Sequence, residues 1–320
     1  MESNVKKTMN TWKKAGLAVL VAMAAVVLLV GRLGTRNSAQ ANGAQLTFQS
    51  PDQAGAALAE AAKSGDEQSV GRILGIDPKL LLISADEQTE KAAMGAFVSK
   101  YEKMSRWVDM TDGSRVLYIG ADNFAFPVPL AKNPGGKWYF DAIAGAQEVR
   151  ARDIGRNELL TIDTCYALAN AQEVYRADSG DSGEYAQRII SSLGKQDGLY
   201  WPASEQQGSS PLASLAGLPE SSVASLSPDR PLVIDGYSLR VLTAQGEDAP
   251  GGTMSYVVDG KMTGGFGILA TPIEYAETGI MTFMIDSDGV VYERDLGPDT
   301  TKIAASIQEF NPTDDWSPVE

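Results

Sequence analysis

From Glu158 to Val174 the chain contains neither Pro nor Gly, and apolar residues fall at Leu159, Leu160, Ile162, Cys165 to Ala169, Ala171 and Val174. At a helical period these positions cover most of the circumference, with Thr161, Asp163, Thr164 and Asn170 as the breaks. The pattern predicts a central helix over residues 147–177, covered by protein on more than one side. In front of it, Ser50-Pro51-Asp52-Gln53 reads as a capping box with Pro at the first helical position. Ser64 to Glu67 repeats the cap before a short helix that stops near Gly75. Ser84 to Glu87 caps a third helix running to about Trp107, with Ala93, Phe97, Tyr101 and Met104 on one face. The period then drops to that of strands over 114–120, 124–131 and 137–144, separated by turn residues. Behind the central helix, Glu184 to Ser192 reads as a further helix with acidic residues before it. A Ser, Pro and Gly-rich loop over 203–230 leads to strands at 231–245, 254–260, 264–272, 279–286 and 290–296. Asp259-Gly260 and Asp288-Gly289 mark tight turns, and a last helix ends at Pro312. The fold class is therefore α+β, in two domains at 46–146 and 147–320.

The first 41 residues stand apart. Lys6, Lys7, Lys13 and Lys14 precede an apolar run from Ala15 to Val30, and Ser38-Ala39-Gln40-Ala41 follows. A basic start, an apolar run and an Ala-x-Ala site are the features of a secretory signal peptide. The run is also close to the length of a membrane anchor, which needs about 20 residues. Either way the positive end stays in the cytoplasm and the body is exported, periplasmic or held on the inner membrane facing the periplasm. Membrane contact is expected only through residues 15–30, and only if the leader is kept.

Charge and composition narrow the chemistry. The net charge is −14, and residues 1–41 hold six of the 27 basic residues and one of the 41 acidic ones. The exported body, at −19, repels phosphodiester backbones, so no nucleic-acid partner is expected. There is no His and one Cys, which excludes Ser-His-Asp and Cys-His nucleophiles, His-containing metal sites and disulfides within the chain. No cofactor motif is present: Gly264-Gly265-Phe266-Gly267 lies between strands, with no helix to receive a phosphate.

Two resemblances add to this. Helices followed by a meander ending in Gly136-Lys137-Trp138-Tyr139-Phe140-Asp141 is a layout similar to the nuclear-transport-factor-2-like fold. The second half, from Ala270-Thr271-Pro272 through Gly279 to Phe283 and on to Asp286-Ser287-Asp288-Gly289, resembles a pseudopilin head. It departs from one in its internal helix, with Arg150, Arg152 and Arg156, and in lacking a prepilin cleavage motif. More closely, the exported body resembles the bacterial family of uncharacterised exported proteins called domain of unknown function 2950. The match is carried by Ile154 to Leu159, Glu184 to Arg188, Asp197 to Pro202, Leu242 to Gly246, Met281 to Phe283, Asp288 to Tyr292 and Asp295 to Thr300. That resemblance implies export and supplies no activity.

Candidate site residues follow from these patterns. Asp178, Asp181 and Glu184 put three carboxylates in a Gly/Ser loop that could hold Ca²⁺, although their spacing does not fit a calcium loop. Trp107, Tyr118, Phe124, Phe126, Trp138 and Phe140 could line a pocket in the first domain with Asp141 at its mouth. Only carboxylate acid/base chemistry would be open to it. Arg156, Asn157 and Glu158 read as a polar clasp between domains, and Cys165 as a packed core thiol. Tyr200 and Trp201, beside the long loop, are the aromatic pair best placed as a binding hot spot. The leading expectation is a non-catalytic envelope interaction module, with an unidentified envelope protein as partner, using the face around Tyr200, Trp201 and 203–230. The alternative is a carboxylate-based hydrolase or small-ligand binder around Trp138 and Asp141.

Overall fold

The computed structural model of the protein describes residues 45–76, 87–202, 209–212 and 227–319. The leader, the cap at Ser84 to Asp86 and most of the 203–230 loop lie outside the described residues. The described chain is α+β, with helices and antiparallel sheets, and divides into two compact units, Met1–Arg152 and Asp153–Glu320.

In the first unit, α1 (Pro51–Ser64) starts where Ser50 Oγ accepts the Gln53 N–H at 3.2 Å. The Gln53 amide returns the bond to the Gln49 N–H at 3.1 Å, so the box closes one residue earlier than the standard pairing. Helix α2 (Glu67–Leu74) is capped by Asp66, which accepts the Ser69 N–H at 3.0 Å, and not by Ser64, whose hydroxyl donates to Ala61 O. Helix α3 (Glu87–Lys103) stops short of Trp107. Residues Ser105–Asp109 form β1 instead, paired along their whole length with β2 (Arg115–Ile119). Sheet pairing outweighs the helical period there. Strands β3 (Phe124–Ala125) and β4 (Leu130–Lys132) are separated by Pro127-Val128-Pro129, because prolines donate no ladder bonds. With β5 (Trp138–Phe140) the order is β1-β2-β4-β5, β3 lying on β2. Leu58, Phe97, Leu117, Ile119, Phe126 and Phe140 form the core between sheet and helices.

Strand β5 ends because Asp141 begins a helix. Its Oδ1 accepts the N–H groups of Ile143 and Ala144, each at 3.0 Å. Helix α4 (Ala142–Asp178) is 37 residues long and starts five residues before the predicted boundary. Within the second unit it buries a single stripe, Thr161, Cys165, Leu168 and Gln172. Leu159 on the other side is 68% exposed, and Tyr166 and Val174 are exposed as well. The predicted cover on more than one side is corrected: polar Thr161 and Gln172 face inward and apolar Leu159 faces out. Each inward polar group is satisfied, Thr161 by Asn157 O at 2.7 Å and Gln172 by the N–H and C=O of Ala186, both at 2.8 Å.

That use of the Ala186 backbone is incompatible with the helix predicted over 184–192. The segment instead crosses in extended and bent form, bridging Tyr185 to Met262 and Ile190 to Tyr200. The predicted single strand 231–245 is a hairpin and a short continuation: β6 (Leu232–Ile234), β7 (Tyr237–Leu242) and β8 (Ala244–Gln245). Asp235 and Gly236, at φ 49° and 77°, form its two-residue turn. Two small ladders follow, β8 with β9 (Met254–Ser255) and β10 (Val257–Val258) with β11 (Lys261–Met262). Then come β12 (Gly267–Pro272), β13 (Met281–Asp286), β14 (Val291–Asp295), α5 (Thr300–Ser306) and β15 (Ser317–Pro318). Helix α5 stops well before Pro312. The six-stranded sheet runs β15-β14-β13-β12-β7-β6, all antiparallel. One face, with Leu239, Ile268, Phe283 and Ile285, packs on Cys165 and Leu168 of α4. The opposite face places Leu242, Leu269 and Met284 against Phe310 and Trp316, and α5 packs on β12.

Candidate functional site

The expected front pocket is corrected first. The apolar cavity inside the first unit holds only about 60 Å³ and is walled by Leu58, Val70, Phe97, Phe126, Val128 and other apolar groups. Of the aromatics expected around it, Phe126 alone is there, and no titratable side chain reaches it. A separate hollow of about 480 Å³ lies between α1 and α3 with Lys63 and Glu102 on its walls. Trp138 is buried, with the Arg115 and Lys132 cations 5.3 and 4.7 Å from its ring. Asp141 caps α4.

Asp178, Asp181 and Glu184 do not converge: among the described residues no three acidic or thiol groups come together to hold a metal ion. Glu184 instead takes the Ser182 hydroxyl at 3.3 Å and lies 3.8 Å from Lys261. Tyr200 is 6% exposed, so it is core and not a surface hot spot. Its N–H donates to Ile189 O and its carbonyl accepts from Ser191 N–H, both at 2.9 Å. Trp201 is half-buried beside it. Cys165 is buried, and burial pushes its thiol up to about 12.

The segment Ile154 to Leu159 forms a clasp inside the second unit, and the reading of it as a link between domains is corrected. Asn157 Nδ2 donates to Thr278 O at 2.9 Å, and Glu158 Oε1 accepts the N–H groups of Ile280 and Met281 at 2.8 and 3.0 Å. Arg156 pairs with Asp153 one turn back at 2.8 Å. The turn so held brings Gly279 against Tyr237, whose hydroxyl donates to Met281 O at 2.9 Å. Burial and then the charge of Glu158 push the Tyr237 phenol up, so it remains a donor. Burial, with Glu158 next, likewise raises the Glu293 carboxyl.

At the far end of β13, burial raises the Asp286 carboxyl from 3.8 to about 6, although it accepts the Asp288 N–H at 3.0 Å. A folded-state pKa above the unfolded one means the neutral acid favours folding. That contribution is complete below pH 3.8 and lost as pH rises through about 6. Asp286→Asn should therefore stabilise the protein by about 1–2 kcal/mol at pH 7.5, solvent screening included. The gain should vanish at pH 3.5; urea unfolding at the two pH values measures both, and an equal effect at each would refute the assignment.

Helix α5 covers only part of the second sheet face, leaving a groove of about 430 Å³ between β6, β7, β12 and α5. Its walls include Val233 and Ile273, 58% and 44% exposed, with Pro231, Pro272 and Ala305. Ser238, Thr271 and Thr301 supply hydroxyls, and Arg240 supplies a half-buried guanidinium. Arg240 Nη2 donates to the carbonyls of Ala304 and Ile307, closing the C-terminus of α5. A second hollow of about 260 Å³, past the end of β6, shares Pro231 and Arg240 and adds Arg188 and Arg230. The only sequence signal was an alternating strand whose outward positions, Val233 and Arg240, do not match in polarity.

The fold and the site define an α+β protein whose buried polar groups mostly hold turns in place and whose second unit carries a groove beside α5 with a smaller hollow adjoining it. The chain belongs to the family described as protein of unknown function (DUF2950), whose family model matches residues 45–319. No curated protein and no solved structure matches it. The nuclear-transport-factor-2-like and pseudopilin likenesses accordingly rest on layout alone. Among the described residues no helix is long and apolar enough to cross a membrane.

Proposed function

We propose that this chain is an exported envelope protein that works by binding and not by catalysis, with the groove between β6, β12 and α5 as its binding surface. The supporting observation is that groove: about 430 Å³, open, mainly apolar, with a few convergent polar groups. The apolar cavity of the first unit, at about 60 Å³ and without a polar wall, brings no acid to the pocket expected around Trp138 and Asp141. Export is supported by the basic start, the apolar run 15–30 and Ser38 to Ala41.

A photo-cross-linking residue placed at Ile273 in cells tests this reading, with the same residue at exposed Ile143 as control. The expected result is one recurrent envelope component captured from position 273 and not from 143. Equal capture from both, or recovery of the protein alone, would end the binding reading. The N-terminal peptide of the same sample should begin at Asn42 or carry the leader on exported protein; a purely cytoplasmic pool would end the export reading.

A further inference from the structure

We infer that the groove binds an anionic amphiphile, its oxyanion head at Arg240 and Arg230 and its aliphatic part along Val233, Pro272 and Ile273. This rests on the groove being the binding surface.

Charge distribution carries the argument. Residues 153–320 hold nine Lys and Arg against 26 Asp and Glu, a net −17. Yet three of those nine, Arg188, Arg230 and Arg240, line the two adjoining hollows, where Asp229 is the only acidic residue among the described ones. None of the three makes an ion pair among the described residues. Arg188 donates to the Ser192 hydroxyl at 3.0 Å, which itself donates to Asp197 at 2.8 Å, and Arg240 spends one nitrogen on the carbonyls of Ala304 and Ile307. By contrast Arg115, Arg152, Arg156 and Arg294 each meet a carboxylate within 3.0 Å. A half-buried guanidinium has lost part of its hydration, and here burial alone lowers its pKa, with no carboxylate in opposition. With Nη2 committed to the two carbonyls, Nε and Nη1 remain as charged donors, each able to give a single hydrogen bond to a carboxylate or phosphate oxygen. In so acidic a body, a cationic hollow selects an anion against the surrounding field, which also keeps an anionic bilayer away. The ligand is thus a single molecule. The apolar wall beside the arginines is concave and open, so an aliphatic chain attached to the head would be desolvated along it. Ser238 and Thr301 lie within the same groove as further hydroxyl donors, while the Thr271 hydroxyl donates to Ser238 O at 3.5 Å.

The test uses the purified full-length protein titrated separately with octanoate, octyl phosphate, octylammonium and 1-octanol, below micelle-forming concentrations. Isothermal calorimetry measures affinity and saturation-transfer NMR reports whether the chain is in contact. Either or both anions should bind at least about tenfold more tightly than octylammonium and octanol, the better of the two identifying the head group. Ile273→Asp, at an exposed wall position, should weaken anion binding at least about tenfold without changing the melting temperature. Arg240→Met should do the same, but it also uncaps α5. Arg230→Met, on the exposed rim, is therefore the variant that must reduce anion affinity with the fold unchanged. Equal binding of octanol, lost in Ile273→Asp, would overturn the anion assignment and leave the groove as a binding surface. Preference for octylammonium, or no binding of any probe, would overturn the inference; cross-linking from position 273 then decides separately whether the binding reading also falls.

Discussion

Glu158→Ala should destabilise the protein by about 3 kcal/mol, among the largest losses available to a single substitution outside the packed core. Glu158 Oε1 alone receives the N–H groups of Ile280 and Met281 at the start of β13. Removing it leaves both donors without a partner at a partly buried position, at about 1–3 kcal/mol each. Loss of the Tyr237 anchor should follow, since its hydroxyl bonds the Met281 carbonyl in the same turn. Glu158→Gln keeps an acceptor oxygen in place and should cost about 1 kcal/mol. Urea unfolding of the three proteins, followed by circular dichroism, measures the differences. A loss below that of the Gln variant would show that the turn is held by something else.

Gly279→Ala should be comparably damaging, by about 3 kcal/mol, although it adds one methyl group. An added Cβ would lie 2.0 Å from the Tyr237 hydroxyl oxygen and 2.5 Å from its ring carbon Cζ. Tyr237 is fully buried against Phe283 and cannot swing away without opening the core. Overpacking of this kind costs about 1–3 kcal/mol, and the lost Tyr237 to Met281 bond adds about 1 kcal/mol. Tyr237→Phe in the Gly279→Ala background should recover part of the loss, because it removes the atom in the closest contact. Melting temperatures of the single and double variants provide the check, and no recovery would place the strain elsewhere.

Glu158 belongs to one of the segments that carry the family resemblance, and the residues of these segments do structural work. Asn157 and Glu158 hold a turn, and Asp197 accepts the Ser192 N–H and hydroxyl at 2.7 and 2.8 Å. Gly198 lies where a Cβ would meet the Ile190 carbonyl carbon at 2.8 Å. Of the aromatic pair read as a binding hot spot, Tyr200 is buried and faces inward, and Trp201 is half-buried beside it.

Local chemistry made much of the architecture readable in advance. The α+β class, the helix opening at Ser50 and Pro51, the Asp259-Gly260 turn and the long helix follow from caps, turn residues and period, which act over a few residues. Boundaries failed where one residue had two possible roles. Asp141 read as part of a strand over 137–144 and is a helix cap; Trp107 read as a helix end and pairs in a strand.

The side to which α4 turns was not legible for a deeper reason. Gln172 and Leu159 look outward and inward respectively by type, yet Gln172 is buried because Ala186 presents both a donor and an acceptor to it. Only the tertiary structure brings that backbone within reach. The groove belongs to the same category. Val233 and Ile273 lie 40 positions apart, and each alone is an unremarked surface residue. Composition by itself determined that the chain is acidic, without His, and therefore without His-based catalysis. Tertiary structure alone decided that three of the nine cations in the second unit line two adjoining hollows, because charge clustering depends on strand order and loop crossing, which no local pattern encodes.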